Sequence, residues 1–312
     1  MTDHGPLVMG IDGGGSKTLA LLAGADGQVI GRGLAGPSNY QVEGIPAARA
    51  ALREAVSQAF HAASVPVKKL AALCLGMAGV SRPTDRQWLD DWLAAGREGL
   101  ADRVEIVTDG ALLLWAGTPQ GWGIGVVSGT GSIAMGSTQQ GRWARAGGWG
   151  PLLGDEGSAY AMGMAALHAI TQAADGRGPL TRLTSLVLET WDLPEPASLV
   201  GYIYQHGESH RRIASLGPVV SQAATQADEV ALGIQTQVSV DLARMAVSVA
   251  HQLDFTSAVP CALGGGVLIH NQAVVDGLIE AARRDNLTLA PVEKVSEPAI
   301  GAVRLALRAV RQ

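Results

Sequence analysis

"GIDGGGSKT", residues 10–18, is the stretch on which the fold turns. Its glycines, serine and lysine have the make-up of a phosphate-binding loop, and more than one architecture uses such loops. A P-loop needs glycine directly before the lysine of its GK[ST] ending, but here Ser16 precedes Lys17. A dinucleotide loop needs a helix rising out of its glycines. Here "LALLAGADGQVI" follows instead and looks like a hairpin turning at Ala25–Asp26–Gly27. What remains is strand, glycine turn, strand. In that arrangement the backbone N–H groups can close on phosphate oxygens, and Ser16 and Lys17 add donors. A plain hairpin turn is the competing reading of the glycines alone. Asp12 beside phosphate makes sense if Mg²⁺ or its water shell lies between the two anions.

Working outward, 7–11, 17–24 and 28–35 read as three consecutive strands. Helical periodicity follows over 45–63, then a strand at 70–79, a helix from Pro83 to Arg97 and a strand at 103–109. Three strands followed by alternating helix and strand imply a mixed sheet with helices on its faces. A second pass begins at Gly121 with "GWGIGVVSGTGSIAMG" and a third strand in "GRWARAGG". Shifting the chain by 116 residues lays Asp12 to Ser16 over Ser128 to Ser132. Helices are expected over 155–174, 180–190, 197–205, 209–227 and 229–253, broken near Gly217–Pro218. A strand at 259–264, a helix at 271–284, a short strand at 287–290 and a helix at 298–311 complete the chain. The expected division is an N-terminal lobe over 1–118 and a C-terminal lobe over 119–297, with the helix of 298–312 packing back on the first.

Composition limits the function. Of 312 residues, 47% are hydrophobic and 16% charged, enough apolar material for real cores. A net charge of −5 argues against a nucleic-acid or anionic-membrane surface. Cys74 and Cys261 stand singly inside apolar runs, read as buried thiols, and no Cys/His set has metal-ligand spacing. His206 and His210 are spaced i, i+4 with no third ligand, which reads as a surface pair. With no basic leader and no apolar run of about 18 residues, the expectation is a soluble cytoplasmic protein with no membrane partner.

Two Gly/Ser/Thr turns, one per lobe, could grip a polyphosphate from both sides. A third glycine run, "CALGGGVLIHN" at 261–271, would let a purine or ribose approach bare backbone. "GIDGGGSKT", "VSGTGSIAMG" and "CALGGGVL" resemble the phosphate-1, phosphate-2 and adenosine motifs of the actin-like ATPase and sugar-kinase superfamily. "GGWGPLLGDEGSAY", residues 147–160, resembles the signature of N-acetylglucosamine kinases and their bacterial relatives in the BadF/BadG/BcrA/BcrD ATPase family. The resemblance spans Gly10 to about Gly301. It implies a two-lobed actin-like ATPase fold of the ribonuclease H-like α/β kind, with a helical insertion in the second lobe. It also implies ATP and Mg²⁺ as cofactors, an amino sugar phosphorylated at its 6-hydroxyl, closure of the lobes on sugar, and a homodimer.

Phosphoryl transfer asks for positioning, charge neutralisation and a proton acceptor. The resemblance places the catalytic base on Asp109, which alone would also read as a helix cap. It places sugar contacts on Asn39, Asp109, Gly148, Trp149, Gly150 and Asp155. Asn39 would otherwise be a turn residue and Trp149 core packing. Nucleotide contacts fall on Asp12, Gly14, Gly15, Ser16, Lys17, Gly129, Thr130, Gly131, Ala224, Gly265 and Gly266, with Asp12 reaching Mg²⁺ through water. Glucosamine and N-acetylmuramic acid are alternative substrates. An activator of 2-hydroxyacyl-CoA dehydratases is the non-kinase alternative, and it would need cysteines placed for an iron–sulfur cluster. A sugar-sensing repressor would need a DNA-binding module ahead of the first strand, where six residues leave no room.

Overall fold

The computed structural model describes residues 5–77, 83–94, 100–205 and 209–311. The chain forms two compact units, Met1–Gly121 with Glu297–Gln312, and Trp122–Ser296. The first begins with β1 (Val8–Gly13), β2 (Thr18–Ala23), β3 (Val29–Ala35), α1 (Tyr40–Glu43) and α2 (Ile45–Ala62). It continues with β4 (Leu70–Met77), α3 (Pro83–Ala94), β5 (Ala101–Thr108) and α4 (Asp109–Gly117). The second begins with β6 (Gly123–Ser128), β7 (Ser132–Ser137) and β8 (Trp143–Gly147). Six helices follow: α5 (Ala159–Ala174), α6 (Leu183–Thr190), α7 (Ser198–Tyr204), α8 (Ser209–Ala214), α9 (Gly217–Thr225) and α10 (Glu229–Gln252). β9 (Val259–Gly264), α11 (Gly266–His270), α12 (Gln272–Arg284) and β10 (Leu289–Lys294) close it, and α13 (Ala299–Arg311) belongs to the first unit.

The sheet of the first unit runs β3-β2-β1-β4-β5. β1, β2 and β3 pair antiparallel, while β4 and β5 join parallel. β1 and β4 are apolar almost throughout because helices cover both faces of the sheet. Met9, Ile11, Leu73 and Leu75 face α2 and α3, whereas Val8, Ala72 and Cys74 face Leu112 of α4 and the apolar stripe of α13. Gly10 makes the second face possible, since a Cβ there would collide with the α13 backbone at Val303.

The second unit repeats this topology, with order β10-β9-β6-β7-β8 and the same pattern of antiparallel and parallel pairs. All six helices α5 to α10 are inserted between β8 and β9. The ladders close at Gly13–Thr18 and at Ser128–Ser132. By strand pairing, Asp12 therefore stands opposite Val127 rather than Ser128, because the second turn is one residue shorter. The 116-residue overlay is off by one at that position.

Several boundaries differ from the sequence reading. The helix expected from 155 begins at Ala159, where Ser158 caps it by accepting the N–H of Ala161. The stretch 209–227 is two helices, parted before Gly217 at the break expected near Gly217–Pro218. The last strand reaches Lys294, beyond its expected end at 290; Pro291 obscured it, being tolerated because β10 is an edge strand. The ends of the expected strand 70–79 and helix 83–97 lie outside the described residues, as does His206. His210 is half-buried on α8, its ring 4.9 Å from that of Tyr160. Cys74 and Cys261 are buried free thiols, one in each unit. Burial pushes Cys261 up to about 12. No described helix is long and apolar enough to cross a membrane.

Candidate active site

In the first unit, Gly14 to Lys17 turn β1 into β2, and the Gly14 N–H donates to Lys17 O at 3.0 Å. Gly15, Ser16 and Lys17 are exposed, and among the described residues their backbone N–H groups donate to nothing. Neither Gly14 nor Gly15 is needed as glycine by the fold. Both lie outside the left-handed region, and an added Cβ would meet only ordinary contact at Gly14 and open space at Gly15. The bare backbone is therefore free for a ligand to approach.

Asp12 lies half-buried at the end of β1. Burial first, and the charge of Asp109 second, lift its carboxyl to about 6, with Lys17 acting the other way. Asp109 is the first residue of α4, one past the cap position, which Thr108 occupies without a side-chain bond. Asp109 is therefore not the N-cap itself, although its carboxylate accepts an N–H of the helix's first turn. Its Oδ1 accepts the N–H of Gly110 at 2.9 Å, water reaches the side chain, and the protein packed around it still raises the carboxyl above its usual value. Asn39 caps the single turn α1, accepting the Gln41 N–H at 3.2 Å through Oδ1, so the turn reading describes its local role. The loop before it is tied to the glycine turn: Ser38 N–H donates to Gly14 O at 3.1 Å and Thr18 Oγ1 to Gly36 O at 2.8 Å.

In the second unit the equivalent turn, Gly129–Thr130–Gly131, is held by residues 155–160. Ser128 Oγ donates to Gly157 O and Ser132 Oγ to Glu156 O, both at 2.6 Å. Ser132 N–H reaches Asp155 Oδ1 at 3.4 Å, Ala159 N–H reaches Gly129 O at 2.8 Å and Tyr160 N–H reaches Thr130 O at 3.3 Å. The first donors of α5 are thus spent on the carbonyls of the turn. The N–H groups of Thr130 and Gly131 donate to nothing among the described residues. Asp155 is buried at φ +63°, with its carboxylate against Gly131, where a Cβ would stand 2.9 Å from Oδ2.

Gly148, Trp149 and Gly150 lie on the strap between β8 and Asp155. Trp149 is 63% exposed, which removes core packing as its role. Arg145 stacks on it at 4.5 Å.

Gly129, Thr130 and Gly266 come together in a cavity of about 480 Å³ with residues of α5, α9 and α11. That volume is in the usual range for small-molecule sites. An added Cβ on Gly266 would meet nothing. Gly265 and Gly131 do not line the cavity. Gly265 has φ +85° and lies against Ser128 O, so it serves the junction of β9 with β6. Ala224 does not line it either: α9 presents Gly217, Pro218 and Ser221, and Ala224, about one turn on, is buried in the core. Sequence reasoning missed Ser221, His270 and Asn271 here. The last had a readable signal as the asparagine opening α12, where it accepts the Val274 N–H and donates to Ser221 Oγ.

Two sheets of identical order, each turning its first hairpin around an open glycine loop, define the actin-like ATPase fold shared with sugar kinases. The crystal structure of the N-acetylglucosamine kinase proposed for Chromobacterium violaceum superposes with a TM-score of 0.76 at 28% identity, covering 97% of this chain and 99% of that one. The chain belongs to the BadF/BadG/BcrA/BcrD ATPase family, whose model matches residues 9–306. It is 32% identical to an N-acetylmuramic acid/N-acetylglucosamine kinase of Clostridium acetobutylicum, over 96% of this chain and 97% of that protein. It is 31% identical to an N-acetyl-D-glucosamine kinase of Dictyostelium discoideum, over 96% and 98%.

Proposed function

We propose that the chain transfers the γ-phosphoryl group of ATP to the 6-hydroxyl of an amino sugar, N-acetyl-D-glucosamine first. The observation that carries this is the pair of open turns, Gly15–Lys17 and Thr130–Gly131, whose backbone donors have no partner among the described residues. Such donors suit phosphate oxygens. The second unit supplies a cavity of nucleoside size next to its turn.

Asp109 is the proton acceptor. A carboxyl raised by burial is a stronger base than a free one, which suits it to take the hydroxyl proton as the O6–phosphorus bond forms and the bond to ADP breaks. Asn39 and Asp155, with Gly148, Trp149 and Gly150, hold the sugar. The charge of Asp109 bears on Asp12, and Lys17 is the cation that acts on Asp12 the other way among the described residues, an acidic balance that fits a divalent cation. Mg²⁺ would be held by Asp12 through water, and it supplies charge neutralisation to the phosphates. A cytoplasmic setting and pairing of two copies belong to the same reading. The dehydratase-activator alternative loses support because both thiols are buried inside strands.

The test is ADP release measured with glucose, glucosamine, N-acetylglucosamine, N-acetylmannosamine and N-acetylmuramic acid. The highest kcat/KM is expected with N-acetylglucosamine. Absence of sugar-dependent ADP release across the panel would overturn the reading.

A further inference from the structure

We propose that Arg145 is the residue through which this enzyme accepts an amino sugar carrying an acidic side group, such as the lactyl ether of N-acetylmuramic acid. This rests on the amino-sugar kinase reading above.

Arg145 sits on β8, at the start of the strap that carries Gly148, Trp149 and Gly150. Its Nη1 donates to Gly147 O at 3.2 Å and to Gly148 O at 3.4 Å, and its guanidinium lies 4.5 Å from the Trp149 ring centre. Those contacts fix one edge of the side chain and one face. The cost of ordering it is met before any ligand arrives.

Arg145 nevertheless has no counter-charge. Among the described residues it makes no ion pair, whereas its neighbour Arg142 pairs with Asp254 at 3.0 Å and Arg244 with Asp241 at 3.6 Å. It is also exposed. A guanidinium held by two carbonyls and a ring, with Nε and Nη2 left over, presents the fork that matches a carboxylate.

The two residues that follow the strap, Asp155 and Glu156, are acidic. Asp155 lies against Gly131, and a Cβ on Gly154 would meet Glu156 Oε2 at 3.4 Å and the Trp149 Cβ at 3.3 Å. Asp241 on α10 feels the charge of Glu156. A neutral sugar needs no cation here, but an acidic one would be repelled without Arg145.

The experiment compares wild type, Arg145→Gln and Arg145→Lys, with kcat and KM measured for N-acetylglucosamine and N-acetylmuramic acid and a thermal melt for each variant. Wild type is expected to use both sugars. Arg145→Gln should raise the KM for N-acetylmuramic acid about 10- to 100-fold, the worth of a lost charge-assisted contact, and leave N-acetylglucosamine within about threefold. Arg145→Lys should recover only part of the loss, since a point charge does not replace the fork. Equal losses on both sugars, or a lowered melting temperature with equal losses, would reduce Arg145 to a brace for the strap and overturn the proposal. So would a wild type that phosphorylates N-acetylglucosamine but not N-acetylmuramic acid. A wild type inactive on every sugar removes the kinase reading and this proposal together.

Discussion

The two glycine turns share a topology and differ in how they are held. The first is tied to the following loop by two hydrogen bonds, from Ser38 N–H and Thr18 Oγ1, and its chain is exposed from Gly15 to Lys17. The second is bound by five bonds to residues 155–160. The first turn carries charge instead: Asp12, Lys17 and, across the sheet end, Asp109. The first is an exposed, charged turn. The other has become a rigid frame that also sets Asp155.

The sharpest blow to that contrast is Asp109→Asn. Turnover should fall about 10²–10⁴-fold with ATP binding retained, as followed by steady-state kinetics and calorimetry. Full turnover in that variant would remove Asp109 from its role.

Next is Asp12→Asn. In the folded chain this carboxyl titrates near 6, against an ordinary value near 3.8. The fold therefore keeps an extra proton between those values, and the stability present below about pH 4 is lost as the pH rises through about 6. The substitution should remove that loss, raising stability at pH 7.5 by about 2–3 kcal/mol while lowering Mg²⁺-dependent activity. Denaturant melts from pH 4 to 8 would show the slope flattening; an unchanged slope would break the electrostatic half of the comparison.

Glycine replacements sharpen the structural half. Gly131→Ala presses on Asp155 and should cost about 1–3 kcal/mol and raise the sugar KM. Gly15→Ala meets open space and should leave the melting temperature nearly unchanged while raising the KM for ATP. The smallest effect is expected from Ser132→Ala, which removes one bond to Glu156 O and should cost about 1 kcal/mol.

Much of this was legible beforehand because glycine, serine and apolar alternation are local signals. The hairpin after Gly13, the repeat beginning at Gly121 and the helix at 298–311 follow from residues adjacent in the chain. What stayed hidden depends on contacts between distant segments. Nothing in "SQAATQAD" says that Ser221 rather than Ala224 meets the cavity, because that depends on how α9 lies against α11 and α12. Trp149 reads equally as core or site until its exposure is known. The Asp12 carboxyl is raised first by burial and then by Asp109, nearly a hundred residues away in the chain.

The helix α13 completes the face of β1, β2 and β4, yet it follows the whole of the second unit in the chain. On a ribosome, the first sheet would leave the exit tunnel with Val8, Leu21 and Cys74 bare, while residues 122–296 already have everything their own core requires. Nascent chains should therefore acquire protease resistance first in the middle of the sequence. The N-terminal half would depend on chaperones until Ala299–Arg311 emerges to cover it.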